Sequence, residues 1–290
     1  MATVLDHRRT DREPDDHELE DHDRGLVFDL GTLDRRQVLK LLGFGGVSAG
    51  LFTLVGCAPT GSSASATVAT SSATASAAAS CAIIPEETAG PYPGDGSNGP
   101  NVLAQSGVVR SDIRSSFGTS TTVASGVPLT IKLTILDGSG DCAPLAGAAV
   151  YLWHCDRSGD YSLYSAAAAS ENYLRGVQEA DDNGLVTFSS IFPACYSGRW
   201  PHIHYEVYPS LKTATDEANK IATSQIALPK DACDTVYATA GYSQSVTNLG
   251  QVSLATDNVF SDGATLELGT VTGTVADGMT VALSVPVRTA

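Results

Sequence analysis

Between Tyr196 and His204 the chain places a phenol, a guanidinium and two imidazoles within nine residues, Tyr196-Ser-Gly-Arg199-Trp-Pro-His202-Ile-His204. His202 and His204 stand two apart. That spacing puts both side chains on one face of a strand while Ile203 turns to the other. Two imidazoles so placed reach one metal ion. Tyr196 and Arg199 lie in the glycine-containing loop that feeds the strand, and they add an ionisable phenol and a permanent cation. A strand carrying two histidines for no chemical purpose is the competing reading. Scarcity argues against it: of six histidines, His7, His17 and His22 fall in a charged leader, leaving His154, His202 and His204. His154 follows Trp153 in an apolar stretch and reads as a core or supporting residue.

The elements that must deliver this cluster are strands. Leu129 to Ile135 alternates apolar and polar residues without a break, the mark of a strand with one buried face. Residues 147–155 are more continuously apolar, as a central strand is. Residues 184–191 follow Asp182-Asn183-Gly184, a hairpin turn signal. Further strands are expected at 202–208, 222–228, 251–256, 265–273 and 279–286, and one short helix over Thr213–Ile221. Many short strands between turn signals argue an all-β fold, an antiparallel β-sandwich with long loops around its active site. One folded domain is expected over 81–290.

The chain ahead of that domain reads differently. Residues 1–34 are polar and charge-mixed, which predicts disorder. Asp34-Arg35-Arg36-Gln37-Val38-Leu39-Lys40 precedes an apolar run to Gly56, the pattern of a twin-arginine export signal. The run is short for a spanning helix. Leu54-Val55-Gly56-Cys57 resembles a lipobox, in which Cys57 would be lipidated and anchor the protein to a membrane. The leader, signal and lipobox thus cover 1–57. Residues 58–80, nearly all Ala, Ser, Thr and Gly, form a flexible linker. Localisation outside the cytoplasm follows, membrane-anchored or secreted. Five cysteines lie beyond Cys57: Cys81, Cys142, Cys155, Cys195 and Cys233. Export permits disulfides, and an odd number allows at most two bridges, with connectivity open. No Cys-x-x-Cys pair points to zinc.

With these residues in view, the chain resembles a family. Trp153-His-Cys-Asp-Arg-Ser-Gly-Asp-Tyr161 resembles the first-tyrosine motif of the intradiol ring-cleavage dioxygenases, the catechol and protocatechuate 3,4-dioxygenase family. Tyr196 with Arg199-Trp-Pro-His202-Ile-His204 resembles the family's second tyrosine, arginine and His-x-His block. Glu87 to Tyr92, with Gly90, Pro91 and Tyr92, resembles its substrate-cleft loop, and Gln225 resembles a pocket glutamine. The likeness runs from about Cys81 to about Leu228 and is nearest to the exported, single-chain bacterial branch. It implies one Fe(III) per chain, held by Tyr161, Tyr196, His202 and His204. It also implies an oxidoreductase that inserts both atoms of O2 into a catecholic diol and yields a muconate-type diacid. In that setting Arg199 stabilises charge on the attacked ring carbon, Tyr196 takes a substrate proton, and Gln225 supports Arg199.

Composition bounds the partners. A net charge of −15 argues against nucleic acid. A small aromatic diol and O2 are the partners the resemblance implies. The oligomeric state is open, a homodimer being one of the states compatible with the sequence. The helical dimerisation region of catechol 1,2-dioxygenases has no counterpart here, and protocatechuate enzymes use two different chains. The substrate of neither therefore transfers. A non-catalytic β-sandwich that binds a ligand at the cell surface is the alternative from a different class. A zinc hydrolase lacks a glutamate base beside the histidine pair.

Overall fold

The computed structural model describes residues 81–289. The charged leader, the paired-arginine segment, Cys57 and the linker over 58–80 lie outside the described residues. Eight strands follow in chain order: β1 (Pro128–Asp137), β2 (Ala149–Trp153), β3 (Arg175–Glu179), β4 (Leu185–Ile191), β5 (His202–Tyr208), β6 (Ala222–Ala227), β7 (Thr270–Thr274) and β8 (Gly278–Val287). They form two four-stranded sheets, ordered β4-β1-β8-β7 and β3-β2-β5-β6. All pairings are antiparallel except β1 with β8. The all-β sandwich expected from the alternation is the fold observed.

The core lies between the sheets. From the first come Leu129, Ile131, Leu133, Ile135, Phe188 and Val281; from the second, Val150, Leu152, Ile203, Tyr205, Val207 and Ile226. Removing each such aliphatic side chain from water contributes about 1.5–3 kcal/mol. Ile203 points into this core, so the opposite face of β5 carries His202, His204, Glu206 and Tyr208. The loops between elements cover that second face, and all seven residues of β5 are buried.

Several expectations need correction. Asp182-Asn183-Gly184 does not close a hairpin within one sheet, because β3 pairs with β2 and β4 pairs with β1. The tight turn is present, with the Gly184 N–H donating to Asp181 O at 2.8 Å, but it carries the chain from one sheet to the other. Gly184 has φ +71°, and a Cβ there would meet Ile135 O at 2.3 Å, so no larger residue fits the corner. Thr213–Ile221 is not a helix. Only a single 3-10 turn forms, Glu217–Asn219, capped by Asp216, while Thr213 Oγ1 donates back to Ser210 O. Side-chain bonding to nearby backbone competes with the helix there. Residues 251–256 are likewise not a strand: Ser253 and Thr256 close a turn on themselves. The strand expected over 265–273 is confined to β7, because residues 265–267 form a turn and Leu268 makes only a single bridge to Ala227 of β6.

Two short helices, α1 (Lys230–Tyr237) and α2 (Ser243–Leu249), escaped the sequence reading because each spans barely two turns. One disulfide, Cys81–Cys142, ties the first described residue to the turn after β1, while Cys155, Cys195 and Cys233 are buried thiols.

Candidate metal centre

The pairing of β5 with its neighbours sets the histidines. Trp153 of β2 and Gln225 of β6 flank His204 on either side. The Trp153 ring stacks on the His204 imidazole, 4.9 Å between centroids and 4° from parallel. His202 donates from Nδ1 to Trp200 O at 2.6 Å, which leaves Nε2 as the lone-pair nitrogen. That Nε2 lies 3.1 Å from His204 Nε2. His204 Nδ1 is buried with no hydrogen-bond partner. Gly90, at φ +69°, brings the 87–93 loop against this imidazole; a Cβ would stand 3.4 Å from Cε1.

The tyrosines arrive from two loops. Tyr161 sits in the turn-rich segment after β2, where its N–H donates to Ser165 Oγ and Asp156 Oδ1 accepts from Ser158 and Asp160 N–H. Its Oη is 3.5 Å from His202 Nε2. Tyr196, half-buried, approaches the same nitrogen at 3.3 Å. Two phenolic oxygens and two imidazole nitrogens therefore converge on one point, Tyr161 being brought to the 196–204 segment from the loop after β2.

Burial makes this point inhospitable to isolated charge. It holds His202 well below the usual imidazole value, with Arg199 adding to the effect, and does the same to His204, with His202 adding. Both rings are thus neutral and offer lone pairs. Burial pushes Tyr161 well above the ordinary phenol value, and Tyr196 pushes it further. A multivalent cation reverses that cost, since it favours the phenolate and uses the lone pairs. Neutral imidazoles with two hard, anionic oxygens fit a ferric ion. Among the described residues no group of three or more His, Cys, Asp or Glu gathers to hold a metal, and the oxygens that approach the histidine pair are phenolic.

Arg199 is 1 % exposed. Its Nη2 donates to Gln225 Oε1 at 2.8 Å, and Gln225 Nε2 donates to Thr88 O at 2.8 Å. Arginine, β6 and the loop bearing Gly90, Pro91 and Tyr92 form one hydrogen-bonded unit. The Tyr92 ring lies 4.7 Å from that of Tyr161. Glu87, at the start of the loop, is pushed up to about 8 by burial and by Asp262, with Arg199 acting in the opposite sense.

Among the buried charges not singled out from the sequence, Arg175 and Asp257 bear on the site. Arg175 on β3 donates to Tyr92 O, Pro93 O, Ser162 O, Ser162 Oγ and Tyr151 Oη, all within 3.0 Å, and so buckles the Tyr92 loop to the Tyr161 loop. Asp257 accepts from Arg199 Nε at 3.0 Å. A lone charge in a stretch otherwise fit for burial was the available signal for Arg175. Nothing local marks Asp257.

Other candidates resolve as supports. His154 is buried with Nδ1 donating to Cys155 O and Nε2 bonded to Ser190 Oγ, both at 2.7 Å, and burial lowers it to about 4. Tyr164 Oη accepts from Gly94 N–H and donates to Asn98 O. Tyr173 donates to Asp156 and Tyr208 to Glu206. Cys57 lies outside the described residues.

Comparison with known proteins bears on this geometry. Residues 98–218 match a family model described as Dioxygenase, a span that includes both tyrosines, Arg199 and both histidines. Over 63 residues the chain is 35% identical to chlorocatechol 1,2-dioxygenase from Rhodococcus opacus. The match covers 22% of this chain and 24% of that protein, so the chain spans about a quarter of the length of the curated relative it matches. Among solved structures, an intradiol ring-cleavage dioxygenase from Tetranychus urticae is similar at 24% identity and a TM-score of 0.57. That likeness covers 72% of this chain and 95% of the other, and speaks for a shared fold.

Proposed function

We propose that the chain, which shares the fold of an intradiol ring-cleavage dioxygenase, opens the ring of a catecholic compound with O2. Cleavage falls between the two hydroxyl-bearing carbons and yields a muconate-type diacid. The observation that carries the reading is the convergence of Tyr161 Oη, Tyr196 Oη, His202 Nε2 and His204 Nε2. These four residues would hold one ferric ion per chain. Bound there, the ion would take both oxygens of the diol and make their hydroxyls acidic.

The protein's own groups divide the remaining work. Tyr196 is less buried than Tyr161, and as the phenolate that an ion would favour it could take a substrate proton at Oη and become the neutral phenol. Arg199 directs a fixed positive charge toward the ring carbon on which negative charge develops, an effect worth about 10²–10³ in rate for comparable donors. Gln225 holds Arg199 at Nη2 and so aligns it. Trp153, stacked on His204, and Tyr92, packed on Tyr161, keep the imidazole and phenol out of bulk water. Gly90 and Pro91 line the approach beside them.

The paired arginines ahead of an apolar run support action outside the cytoplasm, and Leu54-Val55-Gly56-Cys57 supports a lipid anchor. Incorporation of labelled fatty acid, lost in Cys57→Ala, tests that anchor. For the chemistry, protein purified from iron-replete cells is expected to be coloured by phenolate-to-iron charge transfer. It is also expected to consume O2 with at least one of catechol, protocatechuate and hydroxyquinol, with the ring-opened diacid as product. A colourless, iron-free protein that consumes no O2 overturns the proposal.

A further inference from the structure

We infer that Asp257 is a positioning residue for this centre: one buried carboxylate that sets both the Arg199 guanidinium and the residue that orients His202. The inference rests on the dioxygenase reading above and extends it to a residue outside the matched span 98–218.

Asp257 is fully buried at 0 % exposure. Its Oδ2 accepts from Arg199 Nε at 3.0 Å and from Trp200 N–H at 2.7 Å. Its Oδ1 accepts from Val259 N–H at 2.9 Å and Phe260 N–H at 3.1 Å. The carboxylate is therefore held by its own turn and reaches out with the other oxygen. The turn itself is anchored, since the Asp257 N–H donates to Ser253 O at 2.9 Å. Both bonds from Oδ2 fall on the segment 199–202. One ends on the guanidinium. The other ends on Trp200, whose carbonyl accepts the His202 Nδ1–H. Trp200 is pinned a second time by its indole N–H, which donates to Leu228 O at 2.8 Å.

Charge-assisted bonds of this kind are short and directional, and removing one partner of a buried ion pair is strongly destabilising. Asp257 at Nε and Gln225 at Nη2 both restrain the rotation of the Arg199 guanidinium. Gln225 is also tied to the substrate loop through Thr88 O, whereas Asp257 is tied to the histidine strand through Trp200. Asp257 is thus the group that couples the angle of the guanidinium to that of His202.

The test uses the full chain loaded with iron. Asp257→Asn keeps the shape but offers one oxygen and one NH2 to four N–H donors, so either the turn or the Arg199 and Trp200 bonds fail. The expected result is a fall in kcat of about 10–100-fold with KM changed less than threefold, as befits an interaction expressed as charge develops. Iron per chain is expected to stay constant while the visible absorption maximum moves, reporting the disturbed His202. In an Arg199→Ala background the same substitution is expected to cost less in kcat than it does in the wild type, because the guanidinium is gone and only the contact to Trp200 remains to be lost.

Asp257→Glu serves as the second variant. It keeps the charge that compensates Arg199 and lengthens the arm by one methylene, and a kcat loss of at least tenfold is expected. Unchanged kcat in both variants, additive losses with Arg199→Ala, or a kcat loss that tracks loss of iron would each overturn the inference. Wild-type protein lacking both iron and O2 uptake overturns the dioxygenase reading and this inference with it. Active wild type beside fully active variants overturns the inference alone.

Discussion

Strand β1 buries every second side chain along most of its length and leaves the others more open, whereas β5 in the facing sheet has no exposed side chain. The two strands share one core but differ on their outer faces. On the first sheet that face meets solvent, and Thr130, Lys132 and Thr134 alternate with the core residues. On the second it lies under the loops that bring Tyr92, Tyr161 and Tyr196, and it carries the histidines. The difference separates two tasks. The first sheet supplies stability through apolar area, and the second builds a polar interior whose charged groups are held by hydrogen bonds. Arg175 shows the cost of that interior: a buried cation satisfied by three carbonyls and two hydroxyls.

The separation can be broken at several points. The largest effect is expected from His204→Ala, which removes a converging nitrogen. Ring cleavage should fall by more than the roughly 10–100-fold that outer partners of a metal ligand cost, and metal analysis should find iron depleted while circular dichroism is preserved. Phe188→Ala on β4 is the converse. Phe188 is fully buried in the core, and its truncation should cost about 3–5 kcal/mol in denaturant unfolding, with kcat per folded molecule within twofold. If Phe188→Ala lowers kcat in the native protein, the two tasks are not separate.

Arg199→Ala lies between these. A loss of about 10²–10³ in kcat is expected with iron retained, measured by O2 uptake and metal content together. Cys142→Ser opens a bridge that spans a sequence separation of 61 and lies outside the site. It should lower stability by about 2–4 kcal/mol and leave the visible spectrum unmoved.

The smallest effect is a dependence on pH. Burial, with Glu87 nearby, pushes the Glu267 carboxyl from 4.5 up to about 8. The folded protein therefore keeps a proton that the unfolded chain releases near 4.5. Stability from this group is fully present below that value and is lost as pH rises through about 8. Glu267→Gln should flatten the fall of Tm across that window, and an unchanged slope would assign the fall to other groups.

Much of the first sheet is legible in the sequence, because a strand exposed on one face must alternate. The Thr213–Ile221 and 251–256 expectations failed for a common reason: hydroxyl and carboxylate side chains satisfied nearby backbone groups and drew the chain into turns. Asp182-Asn183-Gly184 announced a tight turn correctly, yet the change of sheet at that corner depends on which partners β3 and β4 find, and these lie far away in sequence. At the site, His202 and His204 shared a face by strand periodicity alone. Tyr196 stood out by its place beside the histidine pair and Tyr161 by motif likeness, and the approach of both to His202 required the fold.

By itself the sequence determined the local facts: the alternation of β1, the side-by-side imidazoles of β5, the tight turn at Gly184 and the chemical types available to a metal. Tertiary structure alone decided which distant groups meet. Arg199 and Asp257 are 58 residues apart, and Arg175 and Pro93 are 82 apart, yet each pair is joined by a hydrogen bond. Periodicity reports the direction of a side chain over a few residues. Whether a buried charge finds its partner depends on how the loops close over the second sheet, and that is settled only when the whole chain packs.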